Sequence, residues 1–231
     1  MELRFKIFRF DPAFDKEPYY KTYTVKADPN ERILDCLNRI RWEQDGTLSL
    51  RMSCGHGVCG SDAVKINGRC ALACQKLVKD IEGDEVLVEP LPFPVLKDLV
   101  VDMTTFFKRV EQMRPYIIAG STPDKERIQS PDDRKKMGES IRCILCACCV
   151  GQCPVSNENE KFLGPAALVQ AFRRIFDSRD EKREERLRQL DYPDGAWGCL
   201  NYFECTRVCP KEIPVTKEIN TIKREIEKLK K

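Results

Sequence analysis

The cysteines constrain this chain more than any other feature, because thirteen of them lie in 231 residues and most fall into three spaced groups. Their number is odd, and the chain opens on an alternating segment, Leu3 to Ile7, with no apolar signal core, so we expect no disulfide framework. Free thiols in such number would oxidise easily, and we expect most of them to bind metal. The single histidine, His56, excludes a Rieske centre, which needs two histidines on one iron.

Composition narrows the class of protein further. Hydrophobic residues make up 42% and charged residues 33% of the chain, which is typical of a folded, soluble protein. A net charge of +3 gives no reason to expect a nucleic-acid partner, and no apolar run is long enough to cross a bilayer. Acids and bases interleave over residues 173–188, which predicts a solvated helix surface. We expect a prokaryotic chain located in the cytosol.

Hydrophobic periodicity predicts two domains, 1–103 and 104–231, separated near a proline-rich connector at residues 90–94. The first domain is mixed α/β, with a helix that begins at the N-cap Asp28 and an Asn67-Gly68 hairpin turn. The second domain is helical, with a loop over residues 115–139 and apolar faces that include Phe107. Strands are expected at residues 3–7, 19–27, 63–66, 71–73 and 85–89.

The first cysteine group matches the plant-type ferredoxin spacing C-x4-C-x2-C…C, except that an aspartate stands at the third position. A glycine-rich loop can turn its backbone N–H groups toward a [2Fe–2S] centre, and a carboxylate can replace one thiolate. Cys70 could instead take the place of the aspartate, and a zinc site is the alternative metal. We favour Cys70 as a buried thiol and assign the ligands as Cys54, Cys59, Asp62 and Cys74.

The second and third groups form an internal repeat of the bacterial ferredoxin run C-x2-C-x2-C-x3-C-P. In such paired runs the fourth cysteine of each serves the other cluster. Tyr202 replaces one cysteine of the second run, and three thiolates suit a cubane that lacks one iron. The predicted ligands are Cys143, Cys146, Cys149 and Cys209 for a [4Fe–4S] centre, and Cys153, Cys199 and Cys205 for a [3Fe–4S] centre.

Centres of these types move single electrons, and the rest of the chain offers no other chemistry. It has no glycine-rich dinucleotide fingerprint, no P-loop and no Ser/His/Asp constellation, and we assign no catalytic residue. The reaction that supplies or consumes the electrons is therefore expected on a partner.

The order of the three centres resembles that of the iron–sulfur subunit of succinate dehydrogenase and fumarate reductase, the succinate:quinone oxidoreductase family of the tricarboxylic acid cycle. The resemblance covers essentially the whole chain. It rests on the segments 53–62, 143–149, 162–166 (Phe-Leu-Gly-Pro-Ala), 177–180 (Asp-Ser-Arg-Asp) and 208–211 (Val-Cys-Pro-Lys). Aspartate is familiar in the family's dehydrogenases at the place of Asp62.

This resemblance implies an α+β chain with an N-terminal β-grasp plant-type ferredoxin domain and a C-terminal all-α bacterial-ferredoxin-like domain. It implies a flavoprotein partner that carries FAD, one or more membrane-anchor subunits and a quinone between this chain and the anchor. The chain would then be peripheral on the cytoplasmic face of the prokaryotic inner membrane. By alignment from Cys209, Lys223 falls where the family has a lysine beside the quinone, and Pro154 belongs to the same expected pocket. A solvated lysine on an amphipathic helix is the other interpretation of Lys223.

Two departures from the family concern the quinone. Some members have a tryptophan just after the Cys153-Pro154 pair, where residues 155–159 contain no aromatic side chain, and a histidine where Leu200 stands. Both differences favour menaquinone over ubiquinone. The alternative functions are a ferredoxin-type carrier of another redox complex, thiol:fumarate or heterodisulfide-linked, and a zinc-stabilised interaction protein.

Overall fold

The computed structural model describes residues 1–120 and 122–231. By contacts the chain divides into two compact units, one formed by Met1–Met103 with Ile144–Gln152 and the other by Thr104–Cys143 with Cys153–Lys231. The sequence analysis assigned residues 144–152 to the second domain, and their grouping with the first unit was not expected. The segment 144–152 matters for the metal centres because it contains two of the predicted ligands, Cys146 and Cys149.

The first unit is built on a five-stranded mixed sheet with the strand order β2-β1-β5-β3-β4. Its strands are β1 (Glu2–Arg9), β2 (Tyr19–Lys26), β3 (Ala63–Ile66), β4 (Arg69–Leu72) and β5 (Glu85–Glu89). Strand β1 is parallel to β5 and the other pairings are antiparallel. A separate two-stranded sheet of β6 (Val95–Lys97) and β7 (Val100–Val101) follows, and it was not predicted. The α+β class with an N-terminal β-grasp domain is confirmed.

Alternation explains why β1 lies where it does. Leu3, Phe5 and Ile7 are fully buried, whereas the side chains between them face solvent, as a strand with one buried face requires. The β3–β4 hairpin turns at Asn67 and Gly68, both with positive φ, which is the geometry of the predicted two-residue turn.

The first helix, α1 (Ile33–Arg39), begins four residues later than a helix with its N-cap at Asp28 would. The Asp28 side chain accepts the N–H of Asn30 and closes a local turn. Arg32 is extended and forms a bridge with Leu77, so the helical conformation begins only after it. The predicted apolar face is buried, and Cys36 packs within it as a thiol with no exposure.

The second unit is helical in the part of the chain that the structure describes. After α1 the helices are α2 (Thr104–Gln112), α3 (Pro131–Lys136), α4 (Cys148–Gly151, in the first unit), α5 (Pro154–Glu158), α6 (Pro165–Ile175), α7 (Arg183–Gln189), α8 (Glu204–Arg207) and α9 (Val215–Leu229). Helix α3 lies within the loop predicted over 115–139, and residue 121 of that loop lies outside the described residues. None of the helices in residues 1–120 and 122–231 combines the length and the apolarity needed to cross a bilayer.

Helix α6 packs against α9 and α2 to form the core of this unit. Leu168, Ile175, Ile219 and Ile222 are buried there, as their helical spacing predicts. On α2 the buried face is formed by Phe106 and Val110, whereas Phe107 is 44% exposed, so the sequence placed Phe107 on the wrong face.

The prediction of a solvated surface over residues 173–188 is wrong at its centre. The Asp180 carboxylate is buried and pairs with Arg186 at 2.8 Å, and Asp180 also accepts the N–H of Ile118. Arg186 donates in addition to the carbonyl oxygens of Met113, Arg114 and Tyr116. Buried charges are stable when fully paired in this way, and the pair fixes the segment that follows α2.

Glu218 on α9 is a buried carboxyl group with no ion-pair partner among the described residues. It is 3% exposed, and neither carboxylate oxygen has a hydrogen-bond partner among the described residues. Burial raises the pKa of Glu218 from 4.5 to about 8. The backbone N–H of Ser140 and the charge of Lys217 oppose this shift, whereas the nearby Glu139 adds to it.

We expect this group to make the protein less stable as the pH rises. Because the folded state holds the proton more tightly than the unfolded state, stability falls between the unfolded pKa of 4.5 and the folded pKa of about 8. Glu218→Gln should remove that loss, which is on the order of 4 kcal/mol once the pH exceeds both pKa values. Thermal unfolding of the holoprotein should show the advantage of the variant growing from pH 4.5 to about pH 8 and staying constant above that. Glu227→Gln, at an exposed position of the same helix, is the control, and parallel pH profiles for Glu218→Gln and wild type would contradict the expectation.

Candidate metal centres

The loop that carries the first cysteine group is organised around the sulfur of Cys54. Backbone N–H groups of His56, Val58 and Cys59 point at Cys54 Sγ from 3.3, 3.4 and 3.3 Å. Arg32 donates to the carbonyl oxygen of Gly55 at 2.8 Å and holds the loop against the start of α1. Three N–H donors therefore converge on one sulfur, as the hydrogen bonds around a metal-bound sulfur do.

The environment of Cys59, the next predicted ligand, favours its thiolate form. Ser61 Oγ lies 3.1 Å from Cys59 Sγ, and this hydrogen bond is the main reason why the pKa of Cys59 is lowered to about 6. Cys59 therefore loses its proton more readily than an ordinary cysteine.

The two carboxylate oxygens of Asp62 differ in their hydrogen bonding. Oδ2 accepts the N–H of Cys74 at 2.6 Å, whereas the buried Oδ1 has no hydrogen-bond partner among the described residues. A buried carboxylate oxygen without a partner is costly, so a ligand for it is expected. Ferric iron, a hard cation, is a chemically suitable partner for carboxylate oxygen.

Cys70 and Cys74, the two candidates for the last ligand of this centre, lie in different surroundings. Cys74 lies next to Asp62, and burial, followed by the Asp62 hydrogen bond and charge, raises the pKa of its thiol to about 11. Cys70 lies on β4, where its backbone N–H donates to Gln152 Oε1 at 2.7 Å and its sulfur packs against Gly151. Cys74 and not Cys70 is therefore held beside the Asp62 carboxylate.

The internal repeat in the sequence is also a repeat of backbone conformation. Leu145 and Ala147 have φ of 54° and 65°, and Asn201 and Phe203, at the equivalent positions of the second run, have φ of 60° and 63°. Four residues other than glycine in the left-handed region form a costly arrangement, and such strain concentrates at functional sites. A short helix follows each loop, α4 after Ala147 and α8 after Phe203. The sequence gives no sign of this conformation, because no glycine marks it.

The four cysteines predicted for the [4Fe–4S] centre do not all belong to one unit: Cys146 and Cys149 belong to the first, and Cys143 and Cys209 to the second. In the first unit, Cys148 is fully buried, and a hydrogen bond from its thiol lowers the pKa of Cys146 and raises that of Cys148 itself. In the second unit, the N–H of Cys143 donates to the carbonyl oxygen of Ser140, and that of Cys209 donates to the carbonyl oxygen of Thr206.

The three cysteines predicted for the [3Fe–4S] centre line one cavity of the second unit. Cys153, Cys199 and Cys205 lie around a space of about 260 Å³, open solvent included, and Tyr202 lines it too. Thr216, which the sequence analysis missed because no spacing marks it, places its Oγ1 3.4 Å from Cys205 Sγ. Burial raises the pKa of the Cys199 and Cys205 thiols, so both need iron or a neighbouring cation to become thiolates.

Lys223 provides a cation beside Cys199, one of the residues that line this cavity. Its Nζ donates to the carbonyl oxygen of Cys199 at 2.7 Å and lies 5.8 Å from the ring centre of Trp197. Pro154 opens α5 and lines the cavity beside Cys153. Pro154 therefore lies at the cavity itself, and Lys223 lies beside one of its cysteines, Cys199. Trp197, held by a hydrogen bond to Asp191, is a neighbour that the sequence analysis did not identify.

The donor sets fit iron–sulfur clusters. The first loop offers a sulfur that accepts three N–H groups and a buried carboxylate oxygen with no partner among the described residues. The cavity of the second unit is lined by three cysteines. Over residues 1–120 and 122–231, no three His, Cys, Asp or Glu side chains are grouped to hold one metal ion. Ligands of a cluster bind different iron atoms and need not meet at a single point.

Comparisons with known families agree with a [2Fe–2S] and a [4Fe–4S] type of centre. Residues 4–108 match the family described as "2Fe-2S iron-sulfur cluster binding domain", and residues 139–213 match the "4Fe-4S dicluster domain". The "Succinate dehydrogenase iron-sulfur subunit" of Coxiella burnetii is 42% identical over 229 residues, which cover 97% of each chain. The subunit of the same name from Paracoccus denitrificans is 44% identical over 224 residues, 95% of this chain and 86% of that one.

The chain belongs to the family of succinate dehydrogenase iron–sulfur subunits. A solved structure agrees: a chain of the "Mycobacterium smegmatis Sdh1 complex in the apo form" superposes with a TM-score of 0.86 at 27% identity, covering 99% of this chain and 97% of that one. As a member of the family, the chain is an electron-transfer subunit with a [2Fe–2S] domain followed by a [4Fe–4S] dicluster domain.

Proposed function

We propose that this succinate dehydrogenase subunit links the FAD of a flavoprotein partner to a quinone at the membrane. When bound, a [2Fe–2S], a [4Fe–4S] and a [3Fe–4S] cluster carry single electrons between those two redox partners. Membrane-anchor subunits would hold the chain on the cytoplasmic face of the prokaryotic inner membrane. The observation that carries the proposal is the cavity of Cys153, Cys199 and Cys205, because three cysteines with Tyr202 at the fourth position suit a cluster with three irons.

Each of the three clusters would be held by its own set of residues of this chain. Cys54, Cys59, Asp62 and Cys74 would hold the [2Fe–2S] centre, with the N–H groups around Cys54 Sγ stabilising its negative charge. The [4Fe–4S] centre would take its ligands from Cys143, Cys146, Cys149 and Cys209. Cys153, Cys199 and Cys205 would hold the [3Fe–4S] centre, where Thr216 near Cys205 Sγ adds a hydrogen bond that tunes the cluster potential.

Chemical analysis of the purified complex tests the cluster content. Iron and acid-labile sulfide should be present in the amounts that the three clusters together contain, and zinc should be absent. A flavoprotein with bound FAD should purify with this chain. Zinc at the cysteines in place of iron and sulfide would contradict the proposal.

Lys223 and Pro154 would belong to the quinone pocket, and we favour menaquinone as the quinone. The support for Lys223 is its ammonium group, which lies within hydrogen-bond distance of the Cys199 carbonyl oxygen at the edge of the cavity. A cation there can donate to a quinone oxygen whose negative charge grows on reduction.

Replacing Lys223 should therefore impair quinone reduction without impairing oxidation of succinate. The loss of one charged hydrogen bond is worth about 1.5–3 kcal/mol, so Lys223→Met should lower kcat/KM for a menaquinone analogue by roughly tenfold or more. Succinate-dependent reduction of an artificial dye that bypasses the quinone site should be unchanged. Lys228→Met, at an exposed position of the same helix, is the control. Equal loss of both activities in Lys223→Met would show that Lys223 supports the fold or the cluster and not the quinone.

A further inference from the structure

Three glycines of the first cysteine loop share one backbone conformation and differ in their surroundings. Gly55, Gly57 and Gly60 have φ of 65°, 70° and 72°, in the left-handed region that side chains rarely adopt. A Cβ at Gly55 would meet nothing within 4 Å, and one at Gly57 would meet the flexible end of Gln75. The three positions therefore separate the cost of the backbone conformation from the cost of close contact.

Gly60 touches the segment that carries the second cysteine run. A Cβ at Gly60 would lie 2.7 Å from Cys146 Cβ, 3.0 Å from its Cα and 3.3 Å from its N. Real Cβ atoms essentially never approach this closely, and the obstacle is the backbone of Cys146 and not the end of a long side chain. Only glycine allows the two backbones to lie at this distance.

The Cys146 segment is also fixed from its other side. Gln152 accepts the N–H of Cys70 at 2.7 Å, and a Cβ at Gly151 would lie 3.0 Å from Pro92 Cδ and 3.1 Å from Cys70 Sγ. Between these two contacts the backbone of residues 144–152 has little room to retreat. A side chain at Gly60 must therefore displace either Cys146 or the loop of the first centre.

We infer that Gly60 sets the separation between the [2Fe–2S] centre and Cys146, a ligand of the [4Fe–4S] centre. The inference rests on the proposed function. Gly60 directly follows Cys59, so one peptide unit and one van der Waals contact join ligands of two different clusters. Coupling between two paramagnetic centres weakens steeply with distance, and a residue that fixes this contact fixes the coupling.

The test compares Gly60→Ala with Gly55→Ala in the purified complex. Both variants carry the same backbone cost, but only Gly60→Ala creates the clash. The readout is microwave-power saturation of the EPR signal of the reduced [2Fe–2S] centre, first with the second centre oxidised and then with both centres reduced by dithionite. In wild type and in Gly55→Ala, reduction of the second centre should enhance relaxation of the first. Gly60→Ala should keep the [2Fe–2S] signal and show a clearly weaker enhancement.

Gly151→Ala provides a second variant if Gly60→Ala is not recovered in folded form. Its added methyl group would crowd Pro92 and Cys70, on the other side of the segment 144–152. We expect the relaxation enhancement to be reduced in this variant too. Wild-type enhancement in both Gly60→Ala and Gly151→Ala would overturn the inference, and so would equal losses in Gly60→Ala and Gly55→Ala. Failure of the proposed function would instead appear in the wild type itself, as a complex without the two cluster signals.

Discussion

Asp62→Ala should abolish the [2Fe–2S] centre while leaving the chain folded and the other two clusters in place. The substitution removes Oδ1, the buried oxygen that has no partner within the described residues, and Oδ2, which accepts the N–H of Cys74. Loss of a cluster ligand cannot be compensated by water in a site that is 3% exposed at Asp62. The EPR signal of the reduced two-iron centre should disappear, and iron content should fall by the amount that one such centre holds.

Two further variants sharpen this expectation. Asp62→Cys places a thiolate where the plant-type spacing has one and should retain the centre with an altered potential. Cys70→Ser should leave it unchanged, since Cys70 packs against Gly151 and not beside Asp62. If Asp62→Ala kept the two-iron signal and Cys70→Ser lost it, Cys70 would be the ligand and our assignment of Asp62 would be wrong. Asp84→Ala, at an exposed carboxylate of the same unit, controls for the loss of charge.

Tyr202→Cys should convert the three-iron centre into a four-iron one. Tyr202 lines the same cavity as Cys153, Cys199 and Cys205 and is 54% exposed, so a shorter side chain there faces space and not packed protein. The added thiolate completes the spacing of the bacterial ferredoxin run and supplies the ligand for a fourth iron. The signal of the oxidised three-iron centre should vanish at low temperature, and the complex should gain one iron.

The matched control for this conversion is Tyr202→Phe. It keeps the ring, removes the hydroxyl and adds no ligand, so the three-iron signal should persist. An unchanged spectrum and unchanged iron content in Tyr202→Cys would mean that position 202 does not face the missing corner of the cluster.

The sequence was sufficient where spacing or periodicity fixes the answer. Alternation at Leu3, Phe5 and Ile7 predicts a half-buried strand, and the Asn67-Gly68 pair predicts its hairpin turn. The repeated cysteine run led to a prediction that Cys153 and Cys199 share a site although they lie far apart in the chain, and both line one cavity. In each case a short-range pattern carries the information.

Tertiary contacts decided what the sequence could not. Nothing in residues 173–188 distinguishes Asp180 and Arg186 from their solvated neighbours, because burial of that pair depends on backbone carbonyls of residues 113–116. The late start of α1 depends on a bridge between Arg32 and Leu77, far apart in the chain. Likewise, Gly60 and Cys146 lie in segments that are remote in sequence, and neither residue type predicts that their backbones approach closely.

Low-temperature EPR of the complex, isolated gently from membranes, tests the central claim that three clusters of this chain accept electrons from succinate through the flavoprotein. The protein as purified should show the signal of an oxidised three-iron centre, and addition of succinate should replace it with the signal of a reduced two-iron centre. Clusters that ignore succinate but respond to dithionite would assign the chain to another electron donor. No iron signal in either state, with zinc present in the protein, would contradict the entire account.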